Sequence, residues 1–219
     1  ADNLKAAAEG EKMEWGTIYP NFAEIAEKEG FKDVATTFRM VAKVEAYHER
    51  RYNKLLENIE NGKVTSVKVD MGEPQLESAV IPMTGPNSKV IDEQLLVNGH
   101  SFSITSLLMG VPHTMVFVDD VERADVTGIG PQIEKHQSFP KGTNVNFVKV
   151  LNASEIKVRT WERGAGATLA CGTGCCASAV ASILNKKTAR KVTVHVAVGS
   201  LLIEWAEDNH VYMTGPAET

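Results

Sequence analysis

Apolar residues recur every three or four positions along the first quarter of the chain, a spacing that predicts two packed helices. The first helix is predicted over residues 3–28 and the second over residues 32–61, with Gly30 as the stop between them. Pro20 predicts a bend in the first helix because it lacks a backbone N–H. The two stripes contain Leu4, Ala8, Glu11, Trp15, Ile18, Phe22 and Ile25, and then Val34, Phe38, Val41, Glu45, His48, Tyr52, Leu55 and Ile59.

From residue 63 the apolar spacing changes to every second residue, which is typical of β-strands. Asn98-Gly99 between two apolar runs predicts a hairpin turn. One helix is predicted over residues 132–137, with Pro131 at its first position, and another over residues 175–184. Strands are predicted at residues 64–71, 95–97, 101–104, 113–118, 144–151, 155–161, 192–198, 201–205 and 211–213.

The two patterns predict an α+β protein in two parts. Residues 1–62 form an α-helical hairpin, and residues 63–219 form a domain whose sheet curls around a central helix. The junction, residues 61–64, is predicted to be a turn that enters a strand. It lacks a proline- or serine-rich linker, so the parts are expected to touch.

Glutamates and one histidine interrupt the helical stripes, at Glu11 and Glu14 in the first helix and at Glu45 and His48 in the second. A carboxylate on a buried stripe is unfavourable unless it is paired or bound to a metal. Glu45 and His48 have the Glu-x-x-His spacing that carboxylate-bridged di-iron bundles use. These residues therefore predict a metal site, and the alternative is a solvated helix face.

The stretch T-L-A-C-G-T-G-C-C, residues 168–176, predicts a loop that turns into a helix N-terminus. Free backbone N–H groups at such an end bind anions and lower the pKa of a nearby thiol. Cys171 is therefore a candidate acid–base thiol with a lowered pKa. The alternative is that the three clustered cysteines are small core residues.

Composition narrows the classes of function. The net charge is −5 and no basic stripe is present, which argues against a nucleic-acid partner. Three crowded cysteines do not make a disulfide framework and favour a reducing cytoplasm. The first ten residues lack the pattern of a signal peptide, and residues 164–185 are too polar to be expected to span a membrane.

Several long motifs resemble those of diaminopimelate epimerase, a pyridoxal-independent amino-acid epimerase. They are V-K-V-D-M-G-E-P (67–74), F-P-K-G-T-N-V-N-F (139–147), W-E-R-G-A-G-A-T-L-A-C-G-T-G (161–174) and Y-M-T-G-P-A (212–217). The resemblance covers about residues 64–219. It implies an isomerase of the lysine and peptidoglycan precursor pathway that needs no cofactor and acts on diaminopimelate.

The same resemblance implies roles for individual residues. Two cysteines face opposite sides of the substrate α-carbon in that family, one removing a proton as thiolate and the other returning a proton as thiol. Cys171 corresponds to the second, and the motif with the first, Cys-Gly-Asn-Gly, is not found in these residues. Val111 and Ala167 stand where the family has Asn and Glu. The implied residues are Cys171, Glu162 and His113 for catalysis, and Arg163, Asn144, Gly172 and Thr173 for substrate binding.

The first part resembles the last two helices of the rubrerythrin four-helix domain. The motifs are G-E-K-M-E-W-G-T-I-Y-P-N-F-A-E-I-A-E-K-E-G-F (10–31) and V-E-A-Y-H-E-R-R-Y (44–52). The resemblance covers about residues 3–63 and implies that Glu11, Glu14, Glu45 and His48 are iron ligands. The first two helices of that family and its cysteine-rich iron site are not found here.

Each part of the chain therefore resembles an enzyme but lacks half of that enzyme's site. The leading hypothesis is an epimerase-like domain that is incomplete alone. The alternatives are a di-iron hairpin that reacts with peroxide or oxygen once two copies pair, and a non-catalytic fusion. The open side of the hairpin is expected either to pair with a second copy as a homodimer, which we favour, or to cover the epimerase-like domain.

Overall fold

The computed structural model describes residues 2–62, 65–85 and 88–217. The chain divides into two compact units, Ala1–Val67 with Pro216–Thr219, and Lys68–Gly215. Part of the predicted junction, residues 63 and 64, lies outside the described residues. The structure is α+β, with helices first and a large sheet after them, which confirms the predicted fold class.

Helices α1 (Asp2–Met13) and α2 (Tyr19–Lys28) are joined without a break by a π-helical turn, Glu14–Ile18. Helix α3 (Lys32–Glu60) forms the second arm of the predicted hairpin. Gly30 has a φ of 90°, which a glycine adopts without strain, and it ends α2 as predicted. The N–H of Phe31 then bonds to the carbonyl of Ala26 at 2.8 Å.

The π-helical turn lies directly before Pro20. There the N–H of Tyr19 bonds to the carbonyl of Glu14, five residues earlier. Because a π turn holds one residue more than an α turn, it accommodates a position that cannot donate a hydrogen bond. The helix therefore changes its winding next to Pro20, and the bend expected from the sequence stays a prediction.

The extra residue also moves the buried face of the helix. Ala23 and Ala26 are buried against Ala35. Phe22 and Ile25, on the predicted stripe, are instead 46% and 51% exposed. The sequence prediction assumed a constant α-helical period. After the π-helical turn it therefore assigned the buried face to positions one residue before the ones that are buried.

The described part of the second unit is dominated by one mixed sheet, and β1 lies across the division between the units. The strands are β1 (Ser66–Asp70), β2 (Val90–Val97), β3 (His100–Met109), β4 (Val111–Phe117), β5 (Asn144–Asn152), β6 (Glu155–Glu162), β7 (Gly166–Thr168), β8 (Lys191–Val196), β9 (Gly199–Trp205) and β10 (Val211–Pro216). Their order is β1-β10-β9-β8-β6-β5-β4-β3-β2, with β7 on β6. The pairs β4–β5 and β6–β8 are parallel.

The predicted hairpin turn at Asn98-Gly99 is confirmed, because it joins β2 to β3 with positive φ at both residues, 47° and 83°. The short helix before β5 was placed incorrectly from the sequence. Helix α4 spans Val126–Glu134 and contains Pro131 in its interior. The side chain of Asp125 caps it by accepting from the N–H of Gly128 at 2.9 Å, a start signal that the proline obscured.

Helix α5 (Gly172–Leu184) lies at the centre of the second unit. Its residues from Gly174 to Ser182 are all buried. It contacts β3, β4, β5, β6, β8 and β9, so the sheet wraps around it. Small side chains on α5 allow this close approach, and they place the start of the helix, with Cys171 before it, at the ends of β4 and β6.

Candidate active site and candidate metal centre

Cys171 is the residue immediately before α5, and its backbone is extended, with φ −139° and ψ 111°. Its carbonyl accepts the first helical hydrogen bond, from Cys175 N–H at 2.9 Å. The sulfur lies 3.5 Å from the hydroxyl oxygen of Thr173 and also receives the N–H of Gly174. The structure therefore places the thiol at a helix N-terminus, as predicted.

The pKa of Cys171 is nevertheless raised, so the prediction of a lowered pKa is wrong. Burial is the largest cause, since the residue is only 9% exposed and burial disfavours the thiolate. The nearby carboxylate of Glu162 raises the pKa further, while Thr173 and the N–H of Gly174 lower it. The guanidinium of Arg163 donates to the carbonyl of Lys141 at 2.6 Å.

Glu162 ends β6, where its carboxylate accepts a hydrogen bond from Thr168 at 2.6 Å. Thr168 belongs to β7, so the β6–β7 turn carries Glu162 and Arg163 to the edge of the cysteine site. The backbone N–H of Arg163 donates to the side-chain oxygen of Asn144 at 2.8 Å. The side chain of Asn144 thus holds the turn from which Arg163 projects.

His113 on β4 is fully buried, and burial together with the charge of Arg163 lowers its pKa to about 4. The ring is therefore neutral at physiological pH. Its Nε2 lies 3.1 Å from the hydroxyl of Thr173, and its Nδ1 lies 3.1 Å from the amide nitrogen of Asn146. The hydroxyl of Thr173 thus connects His113 to the thiol of Cys171 by hydrogen bonds.

Sequence reasoning missed two buried polar residues behind this site, Asn146 on β5 and Thr160 on β6. The hydroxyl of Thr160 donates to the side-chain oxygen of Asn146 at 3.0 Å. The available signal was the period-two spacing of Asn144 and Asn146, which puts both side chains on the same face of β5.

Three of the four predicted metal ligands converge in the helical unit. One ligand atom each from Glu11, Glu45 and His48 lies within 4.8 Å of the other two. The Nδ1 of His48 is 2.6 Å from the carboxylate of Glu45 and 3.7 Å from that of Glu11. Burial and the carboxylate of Glu45 raise the pKa of Glu11. Two carboxylates and an imidazole fit a divalent transition metal, whose charge would stabilise the ionised acids.

The fourth predicted ligand, Glu14, does not join this trio of ligand atoms. It lies in the π-helical turn, and its carboxylate accepts a hydrogen bond from the hydroxyl of Tyr19. Glu14 is still near enough to Glu11 for its charge to raise the pKa of that carboxyl.

The fold and the cysteine site define an α+β domain in which a thiol, a carboxylate and a buried histidine lie near the start of a buried central helix. Residues 105–219 match the family model of diaminopimelate epimerase. The chain belongs to the diaminopimelate epimerase family. Residues 1–68 match the family model of rubrerythrin, so one chain combines segments of two families.

Individual relatives belong to the same epimerase family. The chain is 56% identical over 160 residues to diaminopimelate epimerase from Moorella thermoacetica, covering 73% of this chain and 57% of the relative. It is 54% identical over 164 residues to the enzyme of Geobacillus thermodenitrificans, covering 74% and 57%. The chain thus spans a little over half the length of these curated relatives.

A solved hydroxyproline epimerase from Agrobacterium vitis is similar over 69% of this chain and 50% of that chain, with 14% identity and a TM-score of 0.48. In the part of the chain that the structure describes, no helix is long and apolar enough to cross a membrane.

Proposed function

We propose that the second unit is one half of an amino-acid epimerase site, in which Cys171 exchanges a proton with one face of the α-carbon of diaminopimelate. The observation that carries the proposal is the position of Cys171 at the start of α5, hydrogen-bonded to Thr173 and beside Glu162. A thiol in that position can pass a proton to a carbon held over the helix N-terminus. The proposed epimerase-like domain begins at residue 63, a few residues before the compact second unit, which begins at Lys68.

The surrounding residues suit an α-amino acid. The N–H groups of Gly172 and Thr173, in the first turn of α5, suit the α-carboxylate and the charge that develops on it when the α-proton leaves. Arg163 adds a guanidinium that can pair with the same carboxylate once it leaves the carbonyl of Lys141. Asn144 positions Arg163, while Glu162 and His113 tune the thiol.

The raised pKa of Cys171 favours proton return as its main role, and its small thiolate fraction accounts for the slow α-proton exchange expected below. At neutral pH the residue is mainly a thiol, which suits returning a proton to the α-carbon. The other two cysteines, Cys175 and Cys176, have pKa values of about 12 because of burial and cannot serve as the base. The group for the opposite face must therefore come from outside this cysteine cluster.

The test is proton exchange in D2O. The chain is mixed with L,L- or meso-diaminopimelate, and NMR follows the loss of the α-proton while chiral chromatography follows interconversion. We expect slow exchange without interconversion, and faster exchange at higher pH as more Cys171 becomes thiolate.

Cys171→Ala should remove this exchange, whereas Cys175→Ala should retain it. Exchange that persists in Cys171→Ala, or its absence in the parent chain, would overturn the assignment of Cys171. Full-rate interconversion by the parent chain would show that the site is not a half site.

We infer a second function for the helical unit: two copies pair as a homodimer that holds iron. Glu11, Glu45 and His48 converge but supply only three ligand atoms, and a second copy would bring another set. The exposed apolar residues Phe22, Ile25, Phe31 and Val34 line a groove of about 500 Å³ that pairing would cover. Bound iron would supply redox chemistry with peroxide or oxygen.

Iron titration monitored by metal analysis, together with size-exclusion chromatography, tests this second proposal. We expect a dimer and about one iron per chain after loading. The control variant Glu57→Gln changes a carboxylate on the same helix, outside the trio, and should bind iron normally. A metal-free monomer after loading would overturn the proposal, and failure of both this assay and the exchange assay would favour a non-catalytic fusion.

A further inference from the structure

We propose that Asn146 is a positioning residue: it fixes the tautomer of His113 so that the hydroxyl of Thr173 points its proton at the sulfur of Cys171. The proposal rests on the proposed role of Cys171 and extends the site inward by two buried residues. It is carried by a continuous line of hydrogen bonds from Thr160 on β6 through β5 and β4 to the start of α5.

The orientation of the Asn146 amide is set by its neighbours. The side chain is fully buried. Its nitrogen lies 3.6 Å from the thioether sulfur of Met115, which can only accept a hydrogen bond. Its oxygen accepts from the hydroxyl of Thr160 at 3.0 Å. The contact with the sulfur requires the NH2 group to face β4, where it meets His113, and the Thr160 hydroxyl, which can donate, satisfies the oxygen on the other side.

That orientation determines the protonation of His113. The Asn146 NH2 group is a donor, so Nδ1 of His113, 3.1 Å away, must accept. A neutral imidazole then carries its proton on Nε2, which donates to the Thr173 hydroxyl oxygen at 3.1 Å. Because that oxygen already accepts one hydrogen bond from the ring, its own proton is free for Cys171, whose sulfur is 3.5 Å away.

The environment keeps His113 in this neutral form. Its strand neighbours include Leu107 on β3 and Asn144 on β5, and neither adds a charge. The charged group that faces it is Arg163, which disfavours the imidazolium. The titratable groups beyond Thr173 are Cys171 and Glu162.

Gly174 permits the close approach of α5 to β5 that this line of bonds needs. A Cβ at Gly174 would lie 2.6 Å from the side-chain oxygen of Asn146 and 3.2 Å from the Cβ of Cys171. Real side chains do not pack at the first of these distances, so only glycine leaves Asn146 in place.

The first experiment observes the tautomer directly. The protein is labelled with 15N-histidine, and the two ring nitrogens of His113 are assigned by their chemical shifts and by comparison with His113→Gln. We expect a proton on Nε2 and a bare Nδ1 at pH 7. A proton on Nδ1 would overturn the proposal.

The second experiment measures the pH midpoint of iodoacetamide alkylation at Cys171 by mass spectrometry. Thr173→Val removes the hydrogen-bond donor and should raise the midpoint by about 0.5 pH unit, which makes alkylation at pH 8 about threefold slower. Thr173→Ser keeps the hydroxyl and should retain the parent midpoint. Asn146→Leu, similar in shape but without hydrogen-bonding groups, should raise the midpoint in the same direction and allow His113 to populate both tautomers.

The double variant separates positioning from a structural role. If Asn146 acts through Thr173, adding Asn146→Leu to Thr173→Val should not move the midpoint further. An equal shift in both backgrounds, or a lower melting temperature with an unchanged midpoint in Asn146→Leu, would overturn the proposal. Neither the tautomer experiment nor the alkylation experiment uses diaminopimelate. Their results can therefore be interpreted even if the exchange assay fails.

Discussion

At the scale of single residues, Cys171 lies between groups that act on its thiol in opposite directions. Burial and Glu162 raise its pKa, while Thr173 and the N–H of Gly174 lower it. The sequence correctly placed the cysteine just before a helix, because the small-residue pattern of α5 is local. It could not show that Arg163 turns toward Lys141, since that contact depends on how a distant loop folds.

The alkylation midpoint of Cys171 should therefore lie above the ~8.5 of an ordinary thiol. Glu162→Gln removes a negative charge beside the sulfur and should lower the midpoint by about 0.5 to 1 pH unit. Mass spectrometry of the alkylated peptide measures it, with Glu122→Gln, a distant surface carboxylate paired with Lys157 at 2.7 Å, as the matched control. A midpoint at or below ~8.5 in the parent chain would contradict this account.

His113 gives the second unit a specific sensitivity to acid. The unfolded residue takes a proton near pH 6.5 and the folded one only near pH 4, so the unfolded state binds more protons between these values. The free energy of unfolding should consequently fall as pH falls from 7 to 4, by about 3 kcal/mol from this residue.

Urea unfolding of the parent and of His113→Gln at several pH values measures this effect. As the pH falls from 6.5 to 4, the free energy of unfolding of the parent should decrease more than that of His113→Gln. A difference that stays constant with pH would show that His113 titrates normally in the folded protein.

At the scale of elements, the first turn of α5 contains two glycines with different surroundings. A Cβ at Gly172 would meet only Met213, at an ordinary 3.5 Å, whereas one at Gly174 would meet Asn146 at 2.6 Å. Gly174→Ala should therefore destabilise the protein by about 1–3 kcal/mol, and Gly172→Ala should be neutral or slightly stabilising. Urea denaturation measures both, and equal effects would contradict the packing described here.

Elements with a strong local signal were predicted from the sequence, and those decided by tertiary context were not. Asn98-Gly99 specifies its own turn, and Gly30 its own helix end. By contrast, the sequence placed the start of α4 at Pro131, whereas the helix begins after Asp125, whose side chain caps it. For the candidate metal site, residue type and spacing were enough to predict that Glu11, Glu45 and His48 lie together. Glu14 lies outside this group, in the π-helical turn, and the apolar periodicity of the sequence does not reveal that turn.

At the scale of the whole molecule, assembly and metal binding are separable. Replacing both Glu45 and His48 by Leu should abolish iron binding yet leave or strengthen the proposed dimer, because an apolar interface packs at least as well as a buried polar one. Size-exclusion chromatography with metal analysis measures both properties. A monomeric, soluble double variant beside a dimeric parent would mean that metal bridging, not burial of the apolar groove, drives pairing.

The π-helical turn at Glu14–Ile18 sets the helical phase of the first arm. One additional residue advances everything beyond it by about 100° relative to an uninterrupted α-helix. This offset lets Glu11 face His48 while Ala23 and Ala26 pack inward, and it sends Phe22 and Ile25 outward. The ligand cluster and the apolar groove thus have a common geometric origin, so a one-residue deletion in this turn would rearrange both at once.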